Sequence, residues 1–304
     1  MRVLLIVNSS ASSVTARTRV VIQKALAADH DVTVAETSRR GHATRLAQAA
    51  GRDGTDVVVV LGGDGTLNEA ANGLAGSATA LAPLPGGSTN VFSRTLGLPD
   101  DPIEATGALL DALSRDAVRR VGLGSINGRY FLFHVGIGFD AAVVQQVERR
   151  SQLKRYASHA LFVYAAVETA LRFYDRSRPR LSVHHADGTV VDDGYTAICS
   201  NTSPYTYLGT RPIPIAPDAG FDQPLVMLTL RTLSAPTVVG LLASALLGRH
   251  RARHHPKVDY RTGVREVTVR GHGPVPYQVD GDYLGDAHVL ALRYEPDVLD
   301  LVIP

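Results

Sequence analysis

The stretch of sequence that decides the fold reads Asp56-Val57-Val58-Val59-Val60-Leu61-Gly62-Gly63-Asp64-Gly65-Thr66-Leu67-Asn68-Glu69. Its apolar half is continuous, which predicts a strand over 56–61 that is buried on both faces. Thr66 and Glu69, three positions apart, match a capping box and predict the start of a helix. The glycine-rich loop is therefore expected between the carboxyl end of a strand and the amino end of a helix.

This loop is suited to an anion such as phosphate. Backbone N–H groups and the helix dipole favour negative charge there, and glycines let the backbone approach closely. A tight turn without a ligand is the alternative. Asp64 favours a ligand site, because a carboxylate inside a phosphate cradle repels phosphate unless it serves a metal ion, a hydroxyl or a proton transfer.

A second loop, over residues 83–90, reads Pro-Leu-Pro-Gly-Gly-Ser-Thr-Asn and again follows a short apolar run. Ser88, Thr89 and Asn90 either cap the helix that follows or donate hydrogen bonds to phosphate oxygens. Two such loops on successive strands of a parallel sheet face each other at its carboxyl edge, which is the arrangement that a nucleotide needs.

The chain as a whole predicts two domains, since 304 residues exceed the usual size of a single core. Strands over 3–7, 31–35 and 56–61 alternate with helices over 17–28, 41–51 and 66–75, which indicates a parallel sheet covered by helices. After Val121 many short strands indicate an antiparallel sandwich, interrupted by helices over 156–174 and 236–249. The fold class is thus an α/β domain over 1–121, to which residues 295–304 return, and a β-sandwich domain over 122–294.

Composition excludes several other classes of protein. Charged residues make up 20% and the net charge is only +2, so no nucleic-acid partner is expected. The single cysteine, Cys199, forms no intrachain disulfide and is expected to be a small apolar strand residue in a reducing compartment. Apolar runs fall short of the roughly 18 residues of a membrane span, so a cytoplasmic protein is expected.

Five motifs follow one another along the chain: residues 62–69, 85–90, 136–140, 216–219 and 280–282. In this order they resemble the diacylglycerol kinase catalytic family, which includes bacterial lipid kinases and the sphingosine and ceramide kinases. The resemblance implies an amino-terminal nucleotide domain similar to NAD kinases and phosphofructokinases, followed by a β-rich domain. It also implies an ATP-dependent lipid kinase that converts diacylglycerol to phosphatidic acid, with Mg²⁺ expected from the chemistry of ATP.

The resemblance assigns roles to individual positions. The positions that correspond to ATP contacts are Asn8, Ser9, Ser10, Ala11, Ser12, Thr37, Gly62, Gly63, Asp64, Gly65, Thr66, Leu67, Asn68, Glu69 and Thr89. The first loop, over residues 8–12, lacks the proline and glycine that are usual in the family. Asp282 stands where many members carry a glutamate that accepts the proton of the lipid hydroxyl. Asp282 or Asp64 is therefore the expected base.

A structural magnesium site of the family departs from its pattern here. Members carry an Asp before a Gly in the stretch that follows residues 216–219, whereas this chain has Gln223 and Pro224, with Asp222 adjacent. Asp222 is the candidate metal ligand, and the altered pair argues against a bound structural metal.

A basic segment, residues 249–257, follows the apolar run 238–247. Apolar surface beside cations is how an enzyme docks on anionic lipid, so peripheral contact with the inner face of the membrane is expected. A core helix followed by an exposed loop is the alternative. The expected partner is a lipid substrate, and a homodimer is left open.

Three alternative functions remain. Residues 136–141 fit Gly-x-Gly-x-x-Ala, the fingerprint of dinucleotide binding, but residues 157–159 read Ala-Ser-His where an acidic residue is expected. An NAD kinase shares the first glycine loop, and an assay for NADP would distinguish it. A nucleotide-binding regulator without catalysis is supported only by the short Asp282 and the altered first loop.

Overall fold

The computed structural model describes residues 1–149, 168, 169, 172 and 174–304. Contacts divide the chain into unit 1, residues 1–123 with 296–304, and unit 2, residues 124–295. The helix predicted over 156–174 lies almost wholly outside the described residues. No helix among the described residues is long and apolar enough to cross a bilayer.

Unit 1 contains a parallel sheet in the order β4-β3-β1-β2. Strands and helices alternate along the chain as predicted. They are β1 (Arg2–Val7), α1 (Ala16–Leu26), β2 (Asp31–Glu36), α2 (His42–Arg52), β3 (Val57–Gly62), α3 (Asp64–Leu74), β4 (Ala80–Pro85), α4 (Val91–Thr95) and α5 (Pro102–Ser114). Every residue of β3 and β4 is buried, which explains their continuous apolar sequences. The last residues of the chain return to this sheet, where Leu301 pairs with Leu81.

The predicted capping box at Thr66 and Glu69 is wrong. Helix α3 begins at Asp64, two residues earlier, with Gly63 as its N-cap and no side-chain cap. Glu69 therefore lies too far along the helix to reach back to its start. Its carboxylate instead accepts hydrogen bonds from the backbone N–H of Gly41, at 2.7 Å, and of Ala43, at 3.2 Å, where α2 begins.

Unit 2 is β-rich, as predicted, and its strands pair in the order β14-β13-β10-β7-β15-β16. Its elements are the end of β5 (Val118–Ile126), β6 (Arg129–Phe131), β7 (His134–Gly138), α6 (Phe139–Arg149), β8 (Leu181–His185), β9 (Val190–Gly194), β10 (Thr196–Ser200), β11 (Thr206–Leu208), β12 (Arg211–Ile213), β13 (Leu225–Leu230), α7 (Ala235–Leu246), a 3₁₀ helix (Arg251–His254), β14 (Val258–Val264), β15 (Glu266–Val279) and most of β16 (Asp282–Val302).

The core of unit 2 forms between the apolar faces of these strands, and it includes Phe131, Ile137, Leu181 and Leu292. Cys199 lies among them with no exposed surface, which confirms its prediction as an apolar strand residue. Burial raises the pKa of its thiol, since the thiolate is disfavoured away from water.

Candidate active site

The carboxyl edge of the sheet in unit 1 gathers the loops that the sequence singled out. Strands β1, β2, β3 and β4 are parallel, so the loops that follow them emerge at one edge. The strand order reverses between β1 and β3, and ligands of open α/β sheets bind at such a switch point. The first loop follows β1, the glycine loop follows β3, and Thr37 follows β2, where its N–H donates to the Val7 carbonyl at 2.9 Å.

Asn8 connects the two loops that flank the switch point. Its backbone N–H donates to the Leu61 carbonyl at 3.0 Å, and its side-chain Nδ2 donates to Thr66 Oγ1 at 2.8 Å. Its Oδ1 accepts from Ser10 N–H at 3.1 Å, which curves the first loop back on itself. Asn8 therefore connects the end of β1 to the first turn of α3 by hydrogen bonds.

The remaining residues of the first loop lie at the surface. Ser9, Ser10 and Ser12 are exposed, and the Ser9 hydroxyl donates to Glu36 Oε2 at 2.8 Å. Ala11 N–H donates to the Asn8 carbonyl at 3.0 Å. The loop thus turns without the proline and glycine that are usual in the family, using serine hydroxyls and a local backbone hydrogen bond.

The two glycine loops pack backbone against backbone. Gly86 N–H donates to the Gly62 carbonyl at 2.9 Å. A Cβ atom on Gly86 would lie 2.8 Å from Gly62 Cα, and one on Gly87 would lie 2.8 Å from Gly63 Cα. Because the obstructing atoms are main chain, they cannot move aside cheaply. Glycine at 86 and 87 is therefore required by the contact between the loops themselves.

Asp64 holds the second glycine loop. Its Oδ2 accepts from Val91 N–H and its Oδ1 from Phe92 N–H, both at 3.0 Å, where α4 begins. A carboxylate at a helix amino terminus satisfies N–H groups that have no partner within the helix. Asp64, which the sequence predicted to serve a ligand, therefore connects the first glycine loop to the helix that follows the second.

Two other residues shape this edge: Asn90, which was predicted as a helix cap or phosphate donor and is the N-cap of α4 without a side-chain cap, and Ser13, which sequence reasoning missed. Asn90 adopts the left-handed conformation, and its Oδ1 accepts from Gly87 N–H at 2.7 Å while its Nδ2 donates to Asp100 Oδ1 at 2.9 Å. Ser13 N–H donates to the Gly86 carbonyl at 2.9 Å, and its hydroxyl donates to the Gly87 carbonyl at 3.1 Å. The asparagine after Gly-Gly-Ser-Thr was the available signal for the first, since asparagine tolerates this conformation.

Not every predicted ATP contact presents a side chain to this edge. Leu67 and Asn68 are buried within α3 at 3% and 1% exposure, and the Glu69 carboxylate lies against α2. Gly63, Gly65, Thr66 and Thr89 are partly exposed at the edge. Fewer side chains are therefore accessible to a nucleotide at this edge than the sequence predicted.

In unit 2, Asp282 follows a two-residue hairpin turn. Asp280 and Gly281 both have positive φ, 49° and 82°, and Val279 pairs with Asp282 across the turn. The Asp280 carboxylate is buried and accepts three backbone N–H groups, from Leu132 at 2.7 Å and from Phe133 and His134 at 2.9 and 3.0 Å. This contact fixes the turn and leaves Asp282 partly exposed.

A polar chain connects this turn to Asp140. Asp140 accepts from the Tyr205 hydroxyl at 2.5 Å and from Gln278 Nε2 at 2.9 Å, and Gln278 Oε1 accepts from Gly281 N–H at 2.8 Å. Burial raises the pKa of Asp140, while these two hydrogen bonds act in the opposite direction. Gln278 has no exposed surface, so its amide is committed to this bridge.

The fingerprint interpretation of residues 136–141 is wrong. Strand β7 is antiparallel to both of its neighbours, β10 and β15, so it is not part of a dinucleotide-binding βαβ unit. A Cβ on Gly136 would fall within 1.6 Å of Asp140 Oδ2 and 2.6 Å of Gln278 Nε2. Glycine at 136 therefore makes room for the Asp140–Gln278 contact.

His134 is a further buried polar residue beside this chain. Its ring centroid lies 4.2 Å from that of Tyr205, and burial lowers the pKa of His134 to about 3. Its Nδ1 has no hydrogen-bond partner among the described residues. The imidazole is therefore neutral at physiological pH.

The residues around the position of the family's structural metal form ion pairs and hydrogen bonds of their own. Asp222 is exposed, and Asp218 forms a two-point ion pair with Arg253, at 2.6 and 2.8 Å, while accepting from the Tyr260 hydroxyl at 2.7 Å. In the described part of the chain no group of three His, Cys, Asp or Glu side chains is placed to hold a metal ion. A guanidinium supplies the positive charge next to Asp218.

A parallel sheet with three loops at its switch point, followed in the chain by a β-rich unit, defines the fold class of diacylglycerol kinases and NAD kinases. Structures of a diacylglycerol kinase from Bacillus anthracis str. Sterne match all of this chain and 97% of theirs, with TM-scores of 0.69 and 0.78 at 21% and 22% identity. An NAD kinase from Archaeoglobus fulgidus in complex with ATP matches 99% of the chain and 93% of its own, with a TM-score of 0.56 at 12% identity.

The chain belongs to the YegS-like family, whose carboxyl-terminal domain matches more than half of it, and its amino-terminal part matches the diacylglycerol kinase catalytic domain. Residues 2–126 match the diacylglycerol kinase catalytic domain, and residues 134–303 match the YegS C-terminal NAD kinase beta sandwich-like domain. The resemblance inferred from the five motifs is therefore confirmed.

Curated relatives agree with this membership. The diacylglycerol kinase of Bacillus subtilis (strain 168) is 35% identical over 121 residues, which are 39% of this chain and 39% of that protein. The diacylglycerol kinase of Staphylococcus haemolyticus is 36% identical over 37% of this chain and 33% of its own length. That of Staphylococcus aureus (strain JH9) is 26% identical over 89% of this chain and 82% of its own. The first two alignments thus span well under half of those relatives.

Proposed function

We propose that this chain is an ATP-dependent lipid kinase that transfers the γ-phosphoryl group of ATP to the hydroxyl of diacylglycerol, giving phosphatidic acid. The single observation that carries the proposal is the joining of three loops at the switch point of the sheet. Asn8 binds the first loop to α3, and Asp64 binds the first glycine loop to the second. The relatives named diacylglycerol kinase support the choice of acceptor.

ATP would be held by main chain more than by side chains. The partly exposed glycines 63 and 65 and the first turn of α3 offer N–H groups to phosphate oxygens. Thr66, Thr37, Thr89 and the serines of the first loop would add hydroxyl donors around them. Leu67, Asn68 and Glu69 would contribute by packing α3 and α2, since their side chains are buried or already bonded.

Mg²⁺ would arrive with ATP. Mg²⁺ commonly binds substrate phosphates with one or two carboxylates and several waters, so it needs no protein cage. Both oxygens of Asp64 already accept backbone N–H groups, and the described residues contain no cluster of three metal-ligating side chains. When bound, the ion neutralises phosphate charge.

Asp282 is the proposed base that accepts the proton of the lipid hydroxyl. Three carboxylates lie in the glycine turns of the two units. Asp64 is bonded to the start of α4, and Asp280 is buried against three N–H groups. Asp282 directly follows this turn, stands where many members of the family carry a glutamate base, and is partly exposed, which allows contact with a substrate. Asp64 then acts as a positioning residue.

Gln278 and Asp140 would position that base. The Gln278 amide joins the Asp140 carboxylate to Gly281 N–H, the residue that precedes Asp282. Gln278 is fully buried and both ends of its amide are hydrogen-bonded, so it would restrain the turn that precedes Asp282.

A screen of acceptors tests the proposed reaction. Purified protein is incubated with ATP labelled in the γ-phosphate and with Mg²⁺, against diacylglycerol, ceramide, a sphingoid base, a glycolipid and NAD. We expect label in phosphatidic acid and none in NADP. Label in NADP alone would instead support the NAD kinase alternative, and ATP binding without transfer to any acceptor would support a non-catalytic regulator.

A further inference from the structure

Helix α7 presents an exposed face made entirely of apolar side chains. Val239, Leu242 and Leu246 are spaced three and four residues apart, so they lie on one side of the helix, and they are 64%, 45% and 39% exposed. Leu247, directly after the helix, is 66% exposed. Surface helices of globular proteins ordinarily carry polar residues on this side.

The inward face of the same helix has the opposite character. Ser244 and Ala245 are its buried residues, and Ser244 Oγ accepts from the backbone N–H of Arg251 at 3.0 Å. A polar side chain therefore points into the protein while the leucines point to solvent. The exposed leucines contribute nothing to the core, and an exposed apolar patch of this kind marks an interaction site.

Cations flank the apolar face without acids among them. Residues 231–258 contain no Asp or Glu, and their basic side chains include Arg249, Arg251 and Lys257. These three are exposed and have no ion-pair partner among the described residues. Arg253 differs, since Asp218 already holds its guanidinium.

We propose that α7 and the adjoining basic segment form a docking surface for an anionic lipid bilayer. The surface consists of Val239, Leu242, Leu246, Leu247, Arg249, Arg251 and Lys257. Apolar side chains enter the boundary of the acyl region while cations meet anionic headgroups. This inference deepens the proposed function, because a lipid kinase must reach an acceptor embedded in a membrane.

Charge complementarity selects the bilayer over a second copy of the chain. A second copy would bring another segment without carboxylates against the first, so cations would face cations. An anionic bilayer supplies negative charge and apolar volume together. The β11–β12 hairpin adds to the same side of unit 2, since β12 contacts α7 and carries the exposed Arg211.

Vesicle flotation of the full chain without ATP tests the surface directly. The probes are phosphatidylcholine vesicles and vesicles of equal parts phosphatidylglycerol and phosphatidylcholine, each at low and high NaCl. We expect binding to the anionic vesicles that weakens with salt. The pair Arg249→Gln/Arg251→Gln should lower partitioning about fivefold per cation, and Leu242→Gln/Leu246→Gln about tenfold or more at either salt concentration.

Matched controls place the same changes elsewhere in unit 2. Val190→Gln replaces an apolar residue that is 49% exposed on β9, and Arg270→Gln removes an exposed cation of β15. Both controls should bind vesicles as the parent does, and circular dichroism should show all variants folded. Equal binding by parent and α7 variants would overturn the proposal. So would a parent that ignores anionic vesicles but forms a dimer that Leu246→Gln dissociates.

A soluble acceptor separates this inference from the proposed reaction. With a short-chain diacylglycerol below its micelle concentration, α7 variants should phosphorylate at the parent rate, while transfer to vesicle-embedded diacylglycerol should fall with binding. Loss of transfer to both acceptors would contradict a docking role. Absence of transfer by the parent, with vesicle binding intact, would refute the proposed function and leave the docking surface standing.

Discussion

The two glycine turns of this protein use aspartate in different ways. In unit 1, Asp64 ends the glycine turn as the first residue of α3 and accepts from Val91 and Phe92, the first residues of α4. In unit 2, the bonded residue is Asp280, and the second carboxylate, Asp282, stands two positions later at the start of a strand. The first turn thus carries a single aspartate, which holds the start of a neighbouring helix, whereas the second carries two.

The difference teaches how a carboxylate can be assigned. An aspartate whose oxygens accept backbone N–H groups is stabilised as an anion and serves the fold. In unit 2 the hydrogen bonds of Asp280 hold the backbone of the turn, so Asp282 is positioned by its neighbour. We therefore expect substitutions at Asp280 to affect stability, substitutions at Asp282 to affect turnover, and substitutions at Asp64 to affect both.

The largest effect is expected from removing the carboxylate of Asp282, the proposed base. Asp282→Asn should lower kcat by about 10²- to 10⁴-fold while leaving the dissociation constant of ATP unchanged, since the carboxylate accepts the proton only during transfer. Asp282→Glu should retain much of the activity, because it restores the residue usual in the family. Turnover and ATP binding are measured together.

The control for this pair is Asp192→Asn, which changes an exposed carboxylate of β9 in the same unit. It should behave as the parent does. An Asp282→Asn enzyme with near-parent turnover would remove Asp282 from the mechanism and make Asp64 the stronger candidate.

The second effect concerns the anchor of the same turn. Asp280→Asn should lower the free energy of unfolding by about 2–4 kcal/mol, because the amide nitrogen that replaces Oδ2 cannot accept the Leu132 N–H, and a neutral oxygen accepts the Phe133 and His134 N–H groups more weakly than a carboxylate does. Chemical denaturation measures the loss. Asp286→Asn, which changes an exposed carboxylate of β16, should lower the free energy of unfolding much less. An equal loss in the two variants would show that Asp280 does not anchor the turn.

The third effect tests the double role of Asp64. Asp64→Asn should cost about 1–2 kcal/mol of stability through the loss of one bond to the start of α4. Turnover should fall through looser packing of the glycine loops, with the acidic limb of the pH–rate profile unchanged. Disappearance of that limb would instead identify Asp64 as the base, because the titrating group would then be gone.

The course of the chain in unit 1 was readable from sequence because its signals are local. Continuous apolar runs such as 56–61 predict buried parallel strands, and glycines mark the loops that follow them. The helix start was misplaced at Thr66 because a capping box is only one way to begin a helix. Gly63 leads into α3 without a side-chain cap, and Glu69 bonds to a helix that is distant in sequence.

The contacts that define the candidate site could not be read in this way. The pairing of Asp280 with Leu132 joins residues that are 148 positions apart, and that of Gln278 with Asp140 joins residues 138 apart. No periodicity encodes such pairs. The sequence shows a glycine at 136 but not why it is needed there. Glycine leaves space for the Asp140 carboxylate beside Gln278, and this contact forms only when β7 pairs with β15.

The smallest effect distinguishes the glycines of the two turns. Gly281 has a φ of 82° and no atom within 4 Å of a Cβ placed on it, so glycine is needed there for its backbone conformation alone. Gly281→Ala should cost about 1 kcal/mol, and Gly281→Asn only a few tenths, because asparagine tolerates the left-handed region. Gly86 offers the contrast, since a Cβ there meets the main chain of Gly62. Gly86→Asn should then be no better than Gly86→Ala. The denaturation midpoints of the four variants test this difference. If Gly86→Asn were more stable than Gly86→Ala, or Gly281→Asn no more stable than Gly281→Ala, the two glycines would not be needed for different reasons.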